Sequence, residues 1–361
     1  MKFPYQWFLK DKFFIKGIPQ HKSTVFSCFA GGGGSSMGYK LAGYDVIGCN
    51  EIDPKMMDCY IENLHPKYSF LEQIQILKNR TDLPKELYNL DILDGSPPCS
   101  SFSRVGVREK DWGKKKKFKE GQIKQVLDTL FFDFIDLVKK LQPKIVIAEN
   151  VTGLLLYPAM NYKINYVNQI YKKFDNAGYY CHHWILDASK MGVPQVRKRV
   201  FFIAIRKNLK IYISNKISLF NLCPKLDLKF NENPIIFKNI SDNLDVKIWD
   251  KTKEHLLWEK CKQGKYLSTV SLNKNHYFSH IKLNMLTVPT TIIANNGSNI
   301  WHPTIKRLLN IIELCKCGTF PLDYNFLNIK PKYIIGMSVP PVMMAQISYQ
   351  IYLQWLSKIK T

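Results

Sequence analysis

Short apolar runs alternate with helical-period segments along the N-terminal half of the chain. Ser23 to Phe29, with Val25, Phe26, Cys28 and Phe29, reads as a buried strand, and Tyr44 to Asn50 predicts a second. Between them lies a glycine-rich turn, Ala30 to Gly38, followed by a helical run through Leu41. Asp53-Pro54 opens a helix, with proline at its first position. A short third strand is expected after Tyr68, and the run from Tyr88 to Leu93 predicts a strand feeding into Gly95-Ser96-Pro97-Pro98. Leu127, Leu130, Phe131, Phe134, Leu137, Val138 and Leu141 recur at helical spacing, and Pro143 ends that helix. Lys144 to Val151 and Tyr179 to Leu186 read as strands, separated by a helix from Asn165 to Ala177 that Gly178 closes. Gln195 to Ile203 leads into another strand, and a last helix is expected over Val342 to Leu356. Such alternation predicts an α/β fold, a mostly parallel sheet with helices on both faces. From Lys207 to about Asn299 the pattern weakens, and Asn, Lys and isolated aromatics dominate; this marks a second, smaller domain or a large insertion.

Composition narrows the class. The chain has 361 residues, 46% of them hydrophobic, enough for a large core and about two domains. No stretch reaches the roughly 18 unbroken apolar residues of a membrane helix, and Met1 to Lys22 lacks the apolar segment of a signal peptide. Nine cysteines without regular spacing argue against a disulfide framework and for a reducing compartment. Lys and Arg number 52 against 29 Asp and Glu, a net charge of +23. That excess opposes compaction unless a polyanion is the partner, and nucleic acid is the first candidate. Biased codon usage would also supply lysine, but it would tend to supply glutamate as well.

Candidate chemistry gathers at the ends of the expected strands. Glycines after the first strand let a ligand approach the backbone. Glu51, at the end of the second strand and about 20 residues on, suits a ribose diol. The spacing fits a dinucleotide poorly, and no Gly-Lys-Ser/Thr is present for a triphosphate. A nucleoside carrying a carboxylate, such as S-adenosylmethionine, fits and needs no phosphate cradle. Cys99 follows two prolines that fix the chain as it leaves a strand, which suits a nucleophile; on this stretch alone a buried cysteine after a proline turn is equally good. Glu149 falls at the carboxyl edge of the sheet, where open α/β sheets bind ligands. Arg197 and Arg199 are two apart and would share a face, suiting a carboxylate, phosphate or base carbonyl. The basic tract Arg104 to Gln125 suits a loop closing over a polyanion. His182 and His183 point to opposite faces, and Cys315-Lys316-Cys317 has no second pair, so no metal site is expected.

In this order the motifs resemble the DNA (cytosine-5)-methyltransferase family of the bacterial restriction-modification type. Phe29-Ala30-Gly31 through Gly34 looks like its cofactor motif, Glu51 like its ribose-binding acid, and Pro98-Cys99 like its catalytic Pro-Cys. Glu149-Asn150-Val151 matches Glu-Asn-Val, Gln195, Arg197 and Arg199 match Gln-x-Arg-x-Arg, and Gly336 to Pro341 resembles Gly-Asn-Ser-Val-Pro-Pro, with Met337 in place of Asn. The resemblance implies a Rossmann-like class I methyltransferase domain, formed by 1–207 plus 331–361. It implies a smaller, irregular target-recognition domain at 208–300 and a hinge segment at 301–330. It implies methyl transfer from S-adenosylmethionine to C5 of a flipped-out cytosine in double-stranded DNA. Cys99 would be the nucleophile at C6, Glu149 the partner of the N3/N4 edge, Arg197 that of O2, and Arg199 its support. Phe29, Ala30, Gly31, Gly33, Gly34, Glu51, Ile52, Pro98 and Ser338 would contact the cofactor, and Ser103, Gln195 and Thr291 the DNA. A cytoplasmic, nucleoid-associated bacterial monomer is expected, linked in function rather than in physical contact to a restriction endonuclease. Two alternatives remain: a tRNA cytosine-5 methyltransferase, which shares these residues but is disfavoured because Cys315 to Phe320 lacks Cys-Phe-Thr, and a catalytically silent DNA-binding relative, against which intact Cys99, Glu149 and Arg197 argue.

Overall fold

The computed structural model describes residues 3–98, 129–156, 166–213, 224–242, 253–272, 277–294 and 299–359. The chain forms two compact units. A sheet unit gathers Lys16–Leu186, Lys198–Lys229 and Ala345–Thr361; a second unit gathers Met1–Ile15, Asp187–Arg197 and Phe230–Met344. These cuts fall elsewhere than the functional division at 207, 300 and 330 expected from sequence.

The α/β expectation holds. Strands β1 (Thr24–Cys28), β2 (Asp45–Glu51), β3 (Tyr68–Leu71), β4 (Ile92–Gly95), β5 (Ile145–Val151), β6 (Tyr179–Asp187) and β7 (Lys198–Arg206) form a seven-stranded sheet ordered β3-β2-β1-β4-β5-β7-β6. Parallel pairing joins β1 to β2 and β4, β2 to β3, and β4 to β5, whereas β7 runs antiparallel to β5. Helices α1 (Gly34–Leu41), α2 (Pro54–Leu64), α3 (Ile74–Leu77), α4 (Leu130–Leu141), α5 (Tyr166–Asn176) and α6 (Lys210–Ile213) complete the described helical part of segments 16–186 and 198–229. Asp53 caps α2 by accepting from the Lys55 N–H, with Pro54 at the first helical position. Gln142, in the left-handed conformation, already ends α4 before Pro143.

Strand alternation sorts the side chains between the two faces. Leu93, Val146, Ala148, Val200 and Phe202 meet Phe134 and Val138 of α4 and Ile170 and Phe174 of α5 in one buried cluster. Each of these side chains other than Ala148 contributes about 1.5–3 kcal/mol by leaving water. The intervening residues Ser27, Asp94, Ile147 and Glu149 take the opposite face.

The expected strand from Tyr88 to Leu93 begins later. Lys85–Asn89 is a 3-10 turn, and the strand starts at Ile92. Leu83, Leu87 and Leu90 are all buried in the main cluster, at a helical rather than an alternating spacing. Glu86, bonded to Lys67 and Tyr68, fixes the turn's outer side.

In the second unit, α7 (Lys253–Lys260), α8 (Ile311–Gly318), α9 (Pro331–Met337) and the first residues of α10 (Pro341–Gln354) accompany a parallel pair, β8 (Ile281–Lys282) and β9 (Ile300–Trp301). A small cluster of Cys261, Leu267 and Trp301 lies there. Glu313 on α8, fully buried, accepts two hydrogen bonds from the Arg307 guanidinium at 2.7 and 2.9 Å and completes a capping box with Asn310.

Candidate active site

The turn after β1 is shaped by backbone that only certain residues tolerate. Phe29, Gly31 and Gly33 all have positive φ, at 53°, 51° and 82°. At Gly33 a Cβ would sit 2.4 Å from Leu64 Cδ1 of α2, which would have to move aside, and the left-handed backbone there is what calls for glycine. Gly34 is the first residue of α1 and is buried. Gly31 is different: a Cβ there would meet nothing within 4 Å, so the turn opens at this point. Beside it the Glu51 carboxylate, at the end of β2, accepts from the N–H groups of Gly31, Ile52 and Asp53 at 2.8, 2.8 and 2.9 Å. Ala30 N–H donates to Asn50 O, closing the turn onto β2. Burial pushes the Glu51 carboxyl above its ordinary value; the three N–H donors pull it back, and the Asp53 charge adds to the rise. Phe29 is half-buried and its ring lies 6.5 Å from that of Phe134.

Strands β4 and β5 end side by side. Asn150 donates from Nδ2 to Pro97 O and accepts the Val151 N–H at Oδ1, which ties the end of β5 to the proline segment after β4. Pro98 is half-buried. Cys99 and Ser103, like the tract Arg104 to Gln125, lie outside the described residues. The Glu149 carboxylate meets Arg199 Nε of β7 at 3.0 Å, with both side chains largely buried.

Asp94 is not among the residues expected from sequence. It is 1% exposed, and its Oδ2 and Oδ1 accept from Ser27 Oγ at 2.8 Å and Tyr39 Oη at 3.1 Å. Burial pushes its carboxyl up to about 7 against the pull of those two bonds, and the Glu149 charge adds to the rise. The available signal was an acid directly after Ile92-Leu93 inside an apolar strand.

The other expected residues belong to the second unit. Arg197 and Arg199, expected to share a face, have separate partners. Arg197 is buried and donates from Nη1 and Nη2 to Ile292 O and Gly336 O at 3.2 and 3.1 Å. Gln195, 1% exposed, donates to Cys317 O and accepts the Ile292 N–H. Thr291 Oγ1 donates to Val196 O at 2.6 Å, and Ser338 Oγ donates to Ile334 O at the end of α9. Gln195, Arg197 and Thr291 therefore fasten one backbone segment, 195–197, to another, 291–292. Met337 is exposed. Among the described residues no cluster of His, Cys, Asp and Glu is arranged to hold a metal, and no helix is long and apolar enough to cross a membrane.

Comparison with known proteins bears on this arrangement. Residues 23–353 match the family described as C-5 cytosine-specific DNA methylase. The chain is similar to the type II methyltransferase M.NgoPII of Neisseria gonorrhoeae, 35% identical over 350 residues, covering 88% of this chain and 91% of that one. It is 25% identical over 342 residues to the type II methyltransferase M1.HphI of Haemophilus parahaemolyticus, covering 89% and 84%. Among solved structures, a prophage-encoded DNA modification methyltransferase from E. coli matches with a TM-score of 0.65 at 20% identity, over 92% of this chain and 99% of that one. DNMT2 of Spodoptera frugiperda matches with a TM-score of 0.62 at 16% identity, over 92% and 100%. At such identities these two likenesses speak for the fold.

Proposed function

The chain belongs to the C-5 cytosine-specific DNA methylase family and is a DNA (cytosine-5)-methyltransferase; within that activity, we propose that it takes the methyl group from S-adenosylmethionine and adds it to a cytosine flipped out of a specific duplex word. The observation that carries this reading is the link between Asn150 and Pro97. It fastens the strand end bearing Glu149 to the segment that enters Cys99, so an acid and a thiol serve one base. A base inside a duplex is out of reach of both groups, hence the flipping.

S-adenosylmethionine fits the turn after β1. Glu51, already fixed by three N–H donors, accepts the ribose hydroxyls, and the open space at Gly31 admits the nucleoside. Phe29, Ala30, Gly33, Gly34, Ile52 and Pro98 complete its surroundings. Bound there, it supplies an electrophilic methyl group. Cys99 acts as thiolate: its Sγ adds to cytosine C6, and the C5–C6 π electrons move to C5. Glu149 donates a proton to N3, which steadies the electron-rich ring, while Arg199 fixes Glu149. Once C5 is methylated, its proton passes to water, the C5–C6 double bond re-forms as the thiolate departs, and N3 returns its proton to Glu149. Ser103 and Thr291 contact the DNA, with Gln195 holding the segment that carries Thr291. Residues 208–300 read the word in the major groove, and 301–330 act as the hinge. The type II names of the relatives support a functional link to a restriction endonuclease.

Bisulfite sequencing of mixed-sequence duplex DNA, incubated with the protein and S-adenosylmethionine, tests the reading. Protection of cytosines within one short word is expected. Cys99→Ala should abolish protection and leave DNA binding within about twofold, because the thiol does chemistry rather than docking. Turnover retained in that variant would sink the mechanism.

A further inference from the structure

The chain builds part of the second unit before it reaches the sheet: Met1–Ile15 belong with Phe230–Met344. Trp7 anchors this arm. Its Nε1 donates to Thr319 O at 2.9 Å, and its carbonyl accepts the Leu322 N–H at 3.0 Å. The Asp323 carboxylate accepts from the N–H groups of Leu9 and Lys10 at 2.7 and 3.1 Å, which holds the start of a 3-10 turn, Leu9–Asp11. Beyond it Lys12 and Phe13 are both left-handed, with φ of 51° and 59°. The Phe13 ring folds back to 5.5 Å from that of Trp7, and Phe14 is left 70% exposed. Lys10, Lys12 and Lys16 flank it in sequence, all exposed, against one acid, Asp11. We propose that this turn is a second DNA contact, holding duplex outside the methylated word, with Lys10 and Lys12 on phosphates and Phe14 against the sugars and base edges of the minor groove. The proposal rests on the reading of the chain as a methyltransferase of duplex DNA.

Exposure of one apolar ring is ordinary; the backbone that enforces it here is not. A left-handed residue other than glycine is uncommon, and two in succession persist only where the surroundings fix them. Asp323 and Trp7 fix the entry to the pair, and the Phe13 ring on Trp7 fixes the exit. What the strained pair achieves is to cover Phe13 and turn Phe14 outward. Among the described residues neither Lys10 nor Lys12 forms an ion pair, and the Lys10 ammonium lies 4.7 Å over the Phe8 ring. Ammonium groups so placed suit phosphates, whose counterions they release, and an apolar ring among them suits a sugar or a base step. The arm also leans on the part of the unit expected to touch DNA. Tyr5 Oη donates to Asn239 O at 3.3 Å. The neighbouring Phe237 and Lys238 N–H groups donate to Thr287 O and Met285 O, each at 2.9 Å, and Thr291 follows Thr287 closely in the chain. Chain length alone keeps Phe14 within about 70 Å of Thr291, about two turns of duplex. A duplex on Thr291 that extends past the word therefore comes within reach of the turn.

The test is fluorescence anisotropy on two duplexes that carry the methylated word at their centre, one of about one helical turn and one of about six. The protein should bind the longer one more tightly. Phe14→Ala should weaken binding to the longer duplex about tenfold and leave the shorter within about twofold. Lys10→Gln combined with Lys12→Gln should lower the salt slope on the longer duplex by about two and leave that on the shorter unchanged. Affinity for the longer duplex that matches the parent's in both variants overturns the proposal. Equal loss on both lengths does so too, because it reports a disturbed unit rather than a flanking contact. A dimer that Phe14→Ala dissolves, with DNA affinity unchanged, gives the turn to a second copy and likewise overturns it. Methylation of the word by a protein that gains nothing from added length removes this contact and leaves the proposed function standing, whereas a parent that binds neither duplex removes both.

Discussion

At Glu51, both carboxylate oxygens accept from backbone N–H groups of the turn that a nucleoside would enter, with acceptor capacity left on Oε2. Glu51→Ala removes a ribose acceptor and frees the Gly31 turn together. Hydrogen bonds to a charged acceptor are each worth about 1.5–3 kcal/mol, so calorimetric affinity for S-adenosylmethionine should fall at least about tenfold while DNA affinity stays put. An unchanged cofactor titration would take Glu51 away from the ribose. Asp94 carries a stability consequence whose sign is opposite to that of a salt-bridged acid. Its carboxyl titrates at about 7 in the fold against 3.8 ordinarily, so the folded state holds the proton more firmly than the unfolded chain. That contribution is whole below pH 3.8 and disappears as pH rises to about 7, a loss of ~4 kcal/mol over about three pH units. Asp94→Asn should therefore melt higher than the parent at pH 8 and close to it at pH 4. Parallel melting curves at both values would refute the raised titration.

Among elements, the approach of β4 to α4 depends on one glycine. A Cβ on Gly95 would lie 2.6 Å from the Phe134 ring, within the main buried cluster. Gly95→Ala should cost about 1–3 kcal/mol through overpacking, read as a lower urea midpoint with an unchanged slope. Elements of this sheet were legible wherever burial left a mark on residue type. Val25-Phe26, Val46-Ile47 and Ile145-Val146-Ile147 announced strands, and the glycine turn announced its own conformation. The turn at Lys85–Asn89 was misread because Leu87 and Leu90 fit an apolar run as readily as a helical period. Asp94 escaped because an acid before Gly-Ser-Pro-Pro reads as turn chemistry, and only the register with Ser27 shows that it is inside. Arg197 and Arg199 looked alike in sequence; β7 starts between them, so spacing alone could not assign their partners. In the second unit β8 and β9 are two residues each, too short to leave a period, and the buried Arg307–Glu313 pair looks like surface charge until its burial is seen.

On the scale of the whole molecule, the net charge of +23 sets how binding responds to salt. If phosphate contacts account for it, affinity for duplex DNA should fall by about 10³–10⁵ between 50 and 200 mM salt, as for about six to ten neutralised phosphates. A flat response, read by fluorescence anisotropy, would detach the charge from DNA. The sheet unit has a further property that follows from its make-up. Residues 345–361 belong to it along with 16–186. Tyr44 donates to Ser348 O across 304 residues of chain, and His21 stacks on Tyr352 at 3.9 Å. A ribosome adding about 5–20 residues per second leaves Tyr44 waiting on the order of tens of seconds for its acceptor. During that interval the first-made strands are held by neighbours alone, and the unit closes only after Ser348 and Tyr352 have been made.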